Sequence, residues 1–172
     1  MSNSTIYKFD GAVLWLNGTS LAGSINEIEL PEISWDAIEH ETIALIGTPE
    51  FANKLEALEC TITWASYSPE MAEAAANAFK AVNLQLRASM GEYTVNGKTA
   101  DRSLKIDLTG RCLSNSMGTF SPGEMERESM FKIDFISERW NNQEVLAIGI
   151  NPPIYRVKGQ DLLAGMRRNL GG

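Results

Sequence analysis

The chain has few of the residues that carry most enzyme and metal chemistry. It contains two cysteines and one histidine among 172 residues. The two cysteines, Cys60 and Cys112, are too few for a disulfide framework, so a reducing compartment fits better. Each lies in a strand-like apolar pattern, and we therefore expect buried thiols rather than reactive ones.

Long apolar runs and a leader-like start are also missing. No run approaches the roughly 20 apolar residues that cross a bilayer. The first residues, MSNSTIYKFDG, have neither a basic region nor an apolar core. These absences favour synthesis and folding in the cytoplasm, with no membrane insertion by this chain.

Positive charge is scarce overall but concentrated at the end of the chain. The formal net charge is −7, which argues against a protein that holds nucleic acid through its phosphates. Residues 154–172 nevertheless carry Arg156, Lys158, Arg167 and Arg168 against a single carboxylate, that of Asp161. The asymmetry suggests contact between complementary surfaces, although a solvated helix face is the simpler explanation.

Alternating apolar and polar residues predict a mainly β chain. In 54–64, the pattern turns Leu58, Cys60, Ile62 and Trp64 to one face and leaves the other face polar. The longest pattern, in 124–139, places Ser129, Phe131, Ile133 and Phe135 opposite Met130, Lys132, Asp134 and Ile136. Tight turns at Asn17-Gly18 and Asn96-Gly97 join further strands into hairpins. The expected fold is an antiparallel β-sandwich or barrel.

One helix is expected after the fourth or fifth strand. Ser68 is a good N-cap, Pro69 suits the first helical position, and Glu70 complements the positive end of the helix dipole. The helical stripe that follows is formed by Met71, Ala74, Ala75 and Ala78. Its small residues let the helix lie close against a sheet.

A second, short helix is expected at 160–170. Arg167 and Arg168 fall in its last turn, where cations complement the dipole, and Gly171 suits a C-terminal cap. Its apolar face is formed by Leu162, Leu163, Met166 and Leu170. The simplest prediction is that this face packs on the sandwich or at its rim.

The sequence contains no motif that carries catalysis. His40 lies between Glu39 and Glu41, and on a strand it points away from both, so the three cannot converge locally on a metal. The segment NGKTADRS lacks the spacing of a phosphate-binding loop. We therefore expect no enzyme, no cofactor and no metal.

The segment ALIGTPEFANK is apolar where a connection should be polar. It lies between the extended segments 33–43 and 54–66 and carries Leu45, Ile46 and Phe51. Two explanations are open: a loop folded back on its own core, or an arm at 44–53 that buries these side chains in a neighbouring subunit. Such burial is worth about 1.5–3 kcal/mol for each side chain before ordering costs.

Three blocks of the sequence resemble one known family. They are EIELPEI (27–33), the long block from KLEALECTITW to VNGKTA (54–100), and the closing IYRVKGQDLLAGMRRNLG. In this order they resemble the major tail tube protein of contractile-tailed bacteriophages, a family related to the inner tubes of bacteriocins and type VI secretion. Residues 111–124 match mainly in placement.

This resemblance implies a single tail-tube domain over residues 1–172, a virion component made in the cytoplasm of the host bacterium. Subunits of the family form hexameric rings that stack into a hollow tube inside a contractile sheath. Implied partners are further copies of the chain, the tail sheath protein, the baseplate and tail-terminator proteins, and a tape measure protein in the lumen. DNA would pass through without sequence-specific binding.

The resemblance also suggests roles for residues that the patterns single out. The arm residues Leu45, Ile46 and Phe51 become candidates for contact between rings. Polar strand positions become candidates for the lumen, with an outer solvated face as the alternative: Glu59, Thr61, Thr63, Gln85 and Arg87. Arg167 and Arg168 become candidates for contact with the sheath or a neighbour. An acidic body suits a DNA conduit, since a lumen that attracted phosphates would retard the duplex.

Other functions are open at this point. The chain could form the tube of a headless bacteriocin or of another contractile injection system, which delivers no DNA. A different class, a monomeric β-sandwich that binds a ligand, would need a concave site with several exposed aromatic side chains. The four tryptophans are instead spread between Trp15 and Trp140. A hydrolase that uses His40 ranks third.

Overall fold

A computed structural model describes residues 4–41, 43 and 46–172. The described strands are β1 (Ile6–Leu16), β2 (Thr19–Ser20), β3 (Ile25–Glu29), β4 (Trp35–Glu39), β5 (Glu50–Leu55), β6 (Leu58–Trp64), β7 (Val82–Thr94), β8 (Gly97–Asn115), β9 (Thr119–Ser121), β10 (Glu124–Glu126), β11 (Glu128–Trp140), β12 (Gln143–Gly149), β13 (Ile154–Val157) and β14 (Gln160–Asp161). The helices are α1 (Pro69–Ala76) and α2 (Ala164–Asn169). The predicted mainly β fold, with a mid-chain helix and a short C-terminal helix, is confirmed.

One antiparallel sheet contains most of the strands. Its order is β14-β13-β12-β11-β8-β7-β1-β2, and β6 pairs with both β11 and β3. One edge of β11 pairs with β8 along its length. The other edge pairs with β6 from Glu128 to Ile133 and then with β12 from Phe135 to Trp140. This change of partner branches the sheet and lets it close around one core.

The core lies on one face of β1, β7, β8, β11 and β6. The predicted inward residues of β6 are confirmed, since Leu58, Cys60, Ile62 and Trp64 are all buried. Met71 and Ala75 of α1 are buried as well, which confirms that the helix lies against the sheet. The helix begins as predicted, because Ser68 Oγ accepts a hydrogen bond from the backbone N–H of Met71 at 3.3 Å.

The alternation along β11 reverses partway through the strand. A β-bulge lies between Ile133 and Phe135, so Asp134 has no partner of its own on β8. Before the bulge Ile133 faces the core, and after it Ile136 does, paired with Leu108. The expectation that Phe135 faces inward and Ile136 outward is therefore wrong, because one extra residue shifts a period of two by one position.

The turns follow the chemistry of their residues. Asn17 and Gly18 have φ of 47° and 87° and join β1 to β2, as a tight hairpin turn requires. Lys158 and Gly159, at φ of 48° and 80°, form a similar turn between β13 and β14. The short strand β14 thus occupies the start of the segment predicted as helix 160–170, and α2 begins only at Ala164.

A buried arginine closes the end of the core where β6 and β11 meet. Arg127 is 6% exposed, and its guanidinium carbon lies 4.3 Å from the centroid of the Trp64 ring. Its Nη2 donates to Asn115 Oδ1 at 3.3 Å. Trp64 Nε1 donates in turn to Ser129 Oγ at 3.1 Å. The aromatic face and the amide oxygen stabilise this buried cation.

Candidate assembly surfaces

Strands β4 and β5 form a two-stranded hairpin that leaves the body of the molecule. At its root, Trp35 is paired with the half-buried Leu55. The Trp35 ring also meets Tyr155 of β13 edge to face, with 5.4 Å between ring centroids. We call residues 35–55 the arm. The arm predicted at 44–53 lies within this segment, and its contact with a neighbouring ring stays a prediction.

Beyond its root the arm carries exposed apolar side chains. Phe51 is 55% exposed and Ile46 is fully exposed, so neither packs on its own core. Leu45, the third residue predicted for this surface, lies outside the described residues. Ile38 is directly opposite Phe51 and is 53% exposed. Ile38 was not among the predicted residues, although a large apolar side chain within the acidic segment DAIEHE (36–41) was a usable signal.

A single continuous sheet face holds all five residues predicted for the lumen. Glu59, Thr61 and Thr63 lie on β6, opposite its buried residues, and Gln85 and Arg87 do the same on β7. Strands β11 and β8 lie between these two strands and join them. We call the side of β6, β11, β8 and β7 that points away from the core the polar sheet face.

Ion pairs cover the polar sheet face. Lys132 on β11 pairs with Glu59 on β6. Arg111 Nη2 lies 3.1 Å from Asp134 Oδ2, and Lys105 Nζ lies 3.6 Å from Asp107 Oδ2. The cationic partners on β8 and β11 were not among the residues predicted for this face, because nothing local reveals which strand lies between β6 and β7.

Arg87 completes this network on β7. Its Nε donates to Gln85 Oε1, and Gln85 Nε2 donates to Asp107 Oδ1 at 2.6 Å. The guanidinium carbon also lies 4.6 Å from the centroid of the Trp15 ring. The polar sheet face is therefore largely charge-compensated rather than uniformly acidic. Charges outside this network are Glu128, opposite Thr63, and Arg139, opposite Lys105, and Glu27 and Glu29 join the face at its β3 edge.

The C-terminal cations have different environments. Arg167 is engaged within the chain, since it pairs with Asp161 and its Nη1 donates to the carbonyl oxygen of Pro153 at 2.7 Å. The hydrogen bond from Arg167 holds the pKa of the Asp161 carboxyl below its usual range, assisted by the backbone N–H of Leu163. Arg168 is exposed. Of the two predicted contact residues, Arg168 is the one that faces solvent.

The apolar face of α2 does not pack on the sheet. Leu162, Met166 and Leu170 are 56%, 45% and 78% exposed. Only Leu163 is half-buried. The prediction that this face packs on the body is wrong for these three side chains, because the six-residue helix is anchored by the Arg167 contacts rather than by apolar burial.

The chemically reactive residues of the chain are not assembled into a site. Both cysteines are buried, as predicted. Burial raises the pKa of the Cys60 thiol to about 12, with the nearby Glu29 carboxylate acting in the same direction. His40 is exposed on the arm, where its backbone N–H donates to Pro49 O.

Neither a cluster of metal ligands nor a membrane-spanning helix occurs in the part of the chain that the structure describes. No group of three or more metal-ligating side chains occurs among residues 4–41, 43 and 46–172. Within the same ranges, no helix has the length and apolar character needed to cross a membrane.

The chain matches one known protein family and is similar to several solved structures. The family model of the phage tail tube protein FII matches residues 7–171. No curated protein sequence matches the chain. Among solved structures, the sheath/tube terminator of the extracellular contractile injection system PVC, in its extended state, is similar with a TM-score of 0.56 at 11% identity, over 74% of this chain and 92% of that chain.

Two further structures share the fold. The PVC sheath-tube complex in its extended state gives a TM-score of 0.55 at 12% identity, over 78% of this chain and 89% of that chain. The tube terminating cap of the anti-feeding prophage gives 0.56 at 12% identity, over 74% and 87%. At this level of identity the three structures show a common fold.

Proposed function

The chain belongs to the phage tail tube protein FII family, and on this premise we propose that it is a non-enzymatic structural subunit whose hexameric rings stack into the inner tube of a contractile tail. The arm is the observation that carries the proposal. It leaves the body as a regular hairpin and exposes Ile38 and Phe51 side by side. An exposed apolar pair of this kind indicates an interaction surface rather than a folding element.

Unpaired edges of the sheet are a second reason to propose a closed ring. Residues 6–13 of β1 pair with β7 on one side and, within the described chain, with no strand on the other. At the far side of the same sheet, β3 pairs only with β6. Ile6 and Phe9 on β1 are 64% and 59% exposed. A closed ring covers such edges, which otherwise favour uncontrolled association.

The polar sheet face is our candidate for the lumen. Four of its cations, Lys105, Arg111, Lys132 and Arg87, are held by carboxylates or by Gln85, and Arg139, opposite Lys105, is exposed. Most of its positive charge is therefore already paired before a duplex passes. Unpaired lysines and arginines retard DNA, because each one that contacts a phosphate releases a cation condensed on the DNA and so binds favourably. Thr61→Lys should therefore slow DNA ejection. Unchanged ejection kinetics would show that this face is turned outward.

Electron microscopy of the purified chain, with tail assembly partners added, tests the proposal. We expect rings and tubes; persistent monomers at high concentration would contradict the proposal.

Phe51→Asp should block stacking of rings while the monomer stays folded, because the Phe51 side chain is already half exposed. Phe79→Asp is the matched control, since Phe79 is 97% exposed and lies outside the arm. Tubes of normal length from Phe51→Asp would contradict the role of the arm.

The partners follow from the same proposal. In a contractile particle the tube would contact the sheath, the baseplate and terminator proteins at its ends, and a tape measure protein inside. Arg167 and Arg168 were the predicted sheath or neighbour contacts. We retain Arg168 for a contact of this kind, whereas Arg167 serves the fold through Asp161 and Pro153. The particle would assemble in the cytoplasm of the host bacterium.

A second candidate is the tube of a headless contractile injection system. The fold similarity to the PVC sheath-tube complex favours it. Its subunit would be used in the same way, but no DNA would pass. Particles purified from producing cells separate the two functions: nuclease-protected DNA in headed particles indicates a phage tail, and headless particles without DNA indicate an injection system.

A further inference from the structure

The surface of α2 is apolar and uncovered. Leu162 precedes the helix, Met166 lies within it and Leu170 follows it, and all three side chains are at least 45% exposed. The neighbouring cation Arg168 is exposed as well. Among the described residues no carboxylate lies within salt-bridge distance of Arg168, whereas Arg167 is already paired. We call these four residues the α2 surface.

The arm has the complementary composition. It carries four carboxylates, those of Asp36, Glu39, Glu41 and Glu50, against the single cation Lys54. None of the four has a cation within salt-bridge distance in the described ranges 4–41, 43 and 46–172. Glu39 and Glu50 are directly opposite each other across the hairpin. Like charges in this position are destabilising, so the isolated arm lacks the positive partner that would relieve the repulsion.

The apolar side chains of the arm also match the α2 surface. Ile38 and Phe51 lie on one face of the hairpin, and Glu39 and Glu50 lie on the other. The face with Ile38 and Phe51 can pack against the exposed apolar side chains of the α2 surface. The carboxylates then surround the ribbon with negative potential, which draws it towards a positively charged surface.

A second copy of the chain is the partner that fits both surfaces. Within one chain, the arm does not cover the α2 surface, because Phe51 and Met166 both remain about half exposed. We infer that the arm of one copy docks on the α2 surface of another, with Ile38 and Phe51 against Leu162 and Met166. The inference rests on the proposed function, since it requires that the chain self-associates. It specifies which surface receives the arm.

Disulfide trapping tests the contact directly. In assembled tubes, Phe51→Cys combined with Met166→Cys should give a ladder of disulfide-linked multimers under dioxygen with a copper phenanthroline catalyst. The ladder arises because each chain carries both halves of the contact. Cys60 and Cys112 are at most 2% exposed and add no background. The matched control is Phe51→Cys with Phe79→Cys, whose second cysteine is exposed but lies away from α2.

The outcomes separate this inference from the proposed function. A ladder for the Met166 pair alone supports the docking surface. Normal tubes with no ladder, or with equal ladders for both pairs, overturn it while leaving the tube function standing. If the unsubstituted chain forms no rings or tubes, the proposed function fails, and the inference fails with it.

Charge reversal gives an independent measurement. Arg168→Glu should raise the concentration needed for tube assembly roughly fivefold, as expected for the loss of a single favourable charge contact. Salt should weaken assembly of the unsubstituted chain, and it should weaken assembly of Arg168→Glu less. An unchanged assembly concentration for Arg168→Glu would overturn the inference.

Discussion

The strands of the polar sheet face and those of the arm both alternate apolar and polar residues, yet they differ in burial. On β6 every second residue is buried and contributes to the core. On β4 and β5 both faces are largely exposed, and only Trp35 and Leu55 at the root are half-buried. Alternation produces a buried face only where the chain supplies a core to cover it. The described part of the arm has no such core.

The charges of the two regions differ in the same way. On the sheet, Lys132, Lys105 and Arg111 each pair with a carboxylate of the same chain. On the arm, Glu39 faces Glu50. These three cations are neutralised within the chain, whereas the arm retains a repulsion between carboxylates that a partner can relieve. This difference in charge pairing is what the proposed role of the arm in assembly would require.

Truncating one phenylalanine in each region is the strongest test of this difference. Phe131→Ala removes a fully buried side chain and should cost about 3–5 kcal/mol of unfolding free energy. Phe51→Ala should cost less than about 0.5 kcal/mol, because its side chain is already half exposed. Urea denaturation of the dissociated protein measures both. Comparable losses would mean that the arm packs on its own chain.

Thiol reactivity should differ between the regions by about a thousandfold. The pKa of Cys60 rises from 9.0 to about 12, so at pH 8 it forms far fewer thiolates than an exposed cysteine placed by Phe51→Cys. Alkylation by iodoacetamide, followed by mass spectrometry, compares the two. Rapid labelling of Cys60 in the folded protein would contradict the burial of β6.

The same shift gives a pH dependence of stability. The folded pKa of Cys60 is raised, so the neutral thiol contributes fully below pH 9. That contribution is lost as the pH rises from about 9 towards about 12. The alkaline loss of stability should be smaller in Cys60→Ala, whose overall stability is lower because a buried side chain is missing. An identical alkaline slope in both proteins would argue against the raised pKa.

Adding a methyl group to one glycine in each region should have a smaller effect. A Cβ at Gly110 would lie 2.2 Å from the carbonyl oxygen of Lys132 and 3.0 Å from Ile133 Cα. Since backbone must move, Gly110→Ala should cost about 1–3 kcal/mol. Gly47→Ala in the arm meets nothing within 4 Å and should be neutral or slightly stabilising. Thermal denaturation that ranks the two variants the other way would refute the close approach of β8 and β11.

Neutralising one charge in each region should have the smallest effect, with opposite signs. Lys132→Gln breaks a partly exposed ion pair and should lower stability by up to about 1 kcal/mol. Glu50→Gln removes a repulsion across the arm and should raise stability by up to about 0.5 kcal/mol. Chemical denaturation at low and high salt would measure both. A loss of stability in Glu50→Gln would indicate that its carboxylate already has a partner in the free chain.

Local features were predictable because their causes lie within a few residues. The cap at Ser68, the turn at Asn17-Gly18 and the buried side of β6 each follow from neighbours along the chain, and each is confirmed. The sequence also singled out Ile46 and Phe51, because apolar residues in a connection are unusual. It left open whether they pack on their own core, and the structure shows both exposed. The blocks that resemble the tail tube family pointed to the family whose model matches residues 7–171.

Features set by partners distant in sequence were not predictable. The bulge at Asp134 arises from the pairing of β11 with β8 and turns Ile136 into the core in place of Phe135. The partner of Phe51 on the arm is Ile38, thirteen positions earlier, and only the strand register reveals it. Five residues predicted separately share one face only because β11 and β8 lie between β6 and β7.

The sequence by itself therefore determined the strand content, the turns, the start of α1 and the family, since short-range sterics and periodicity decide them. The tertiary structure alone decided which cations are free. Arg167 and Arg168 are adjacent and chemically identical, yet Arg167 reaches Asp161 and Pro153 while Arg168 faces solvent. The direction of each side chain depends on how β13, β14 and α2 fold together, and no local pattern contains that information.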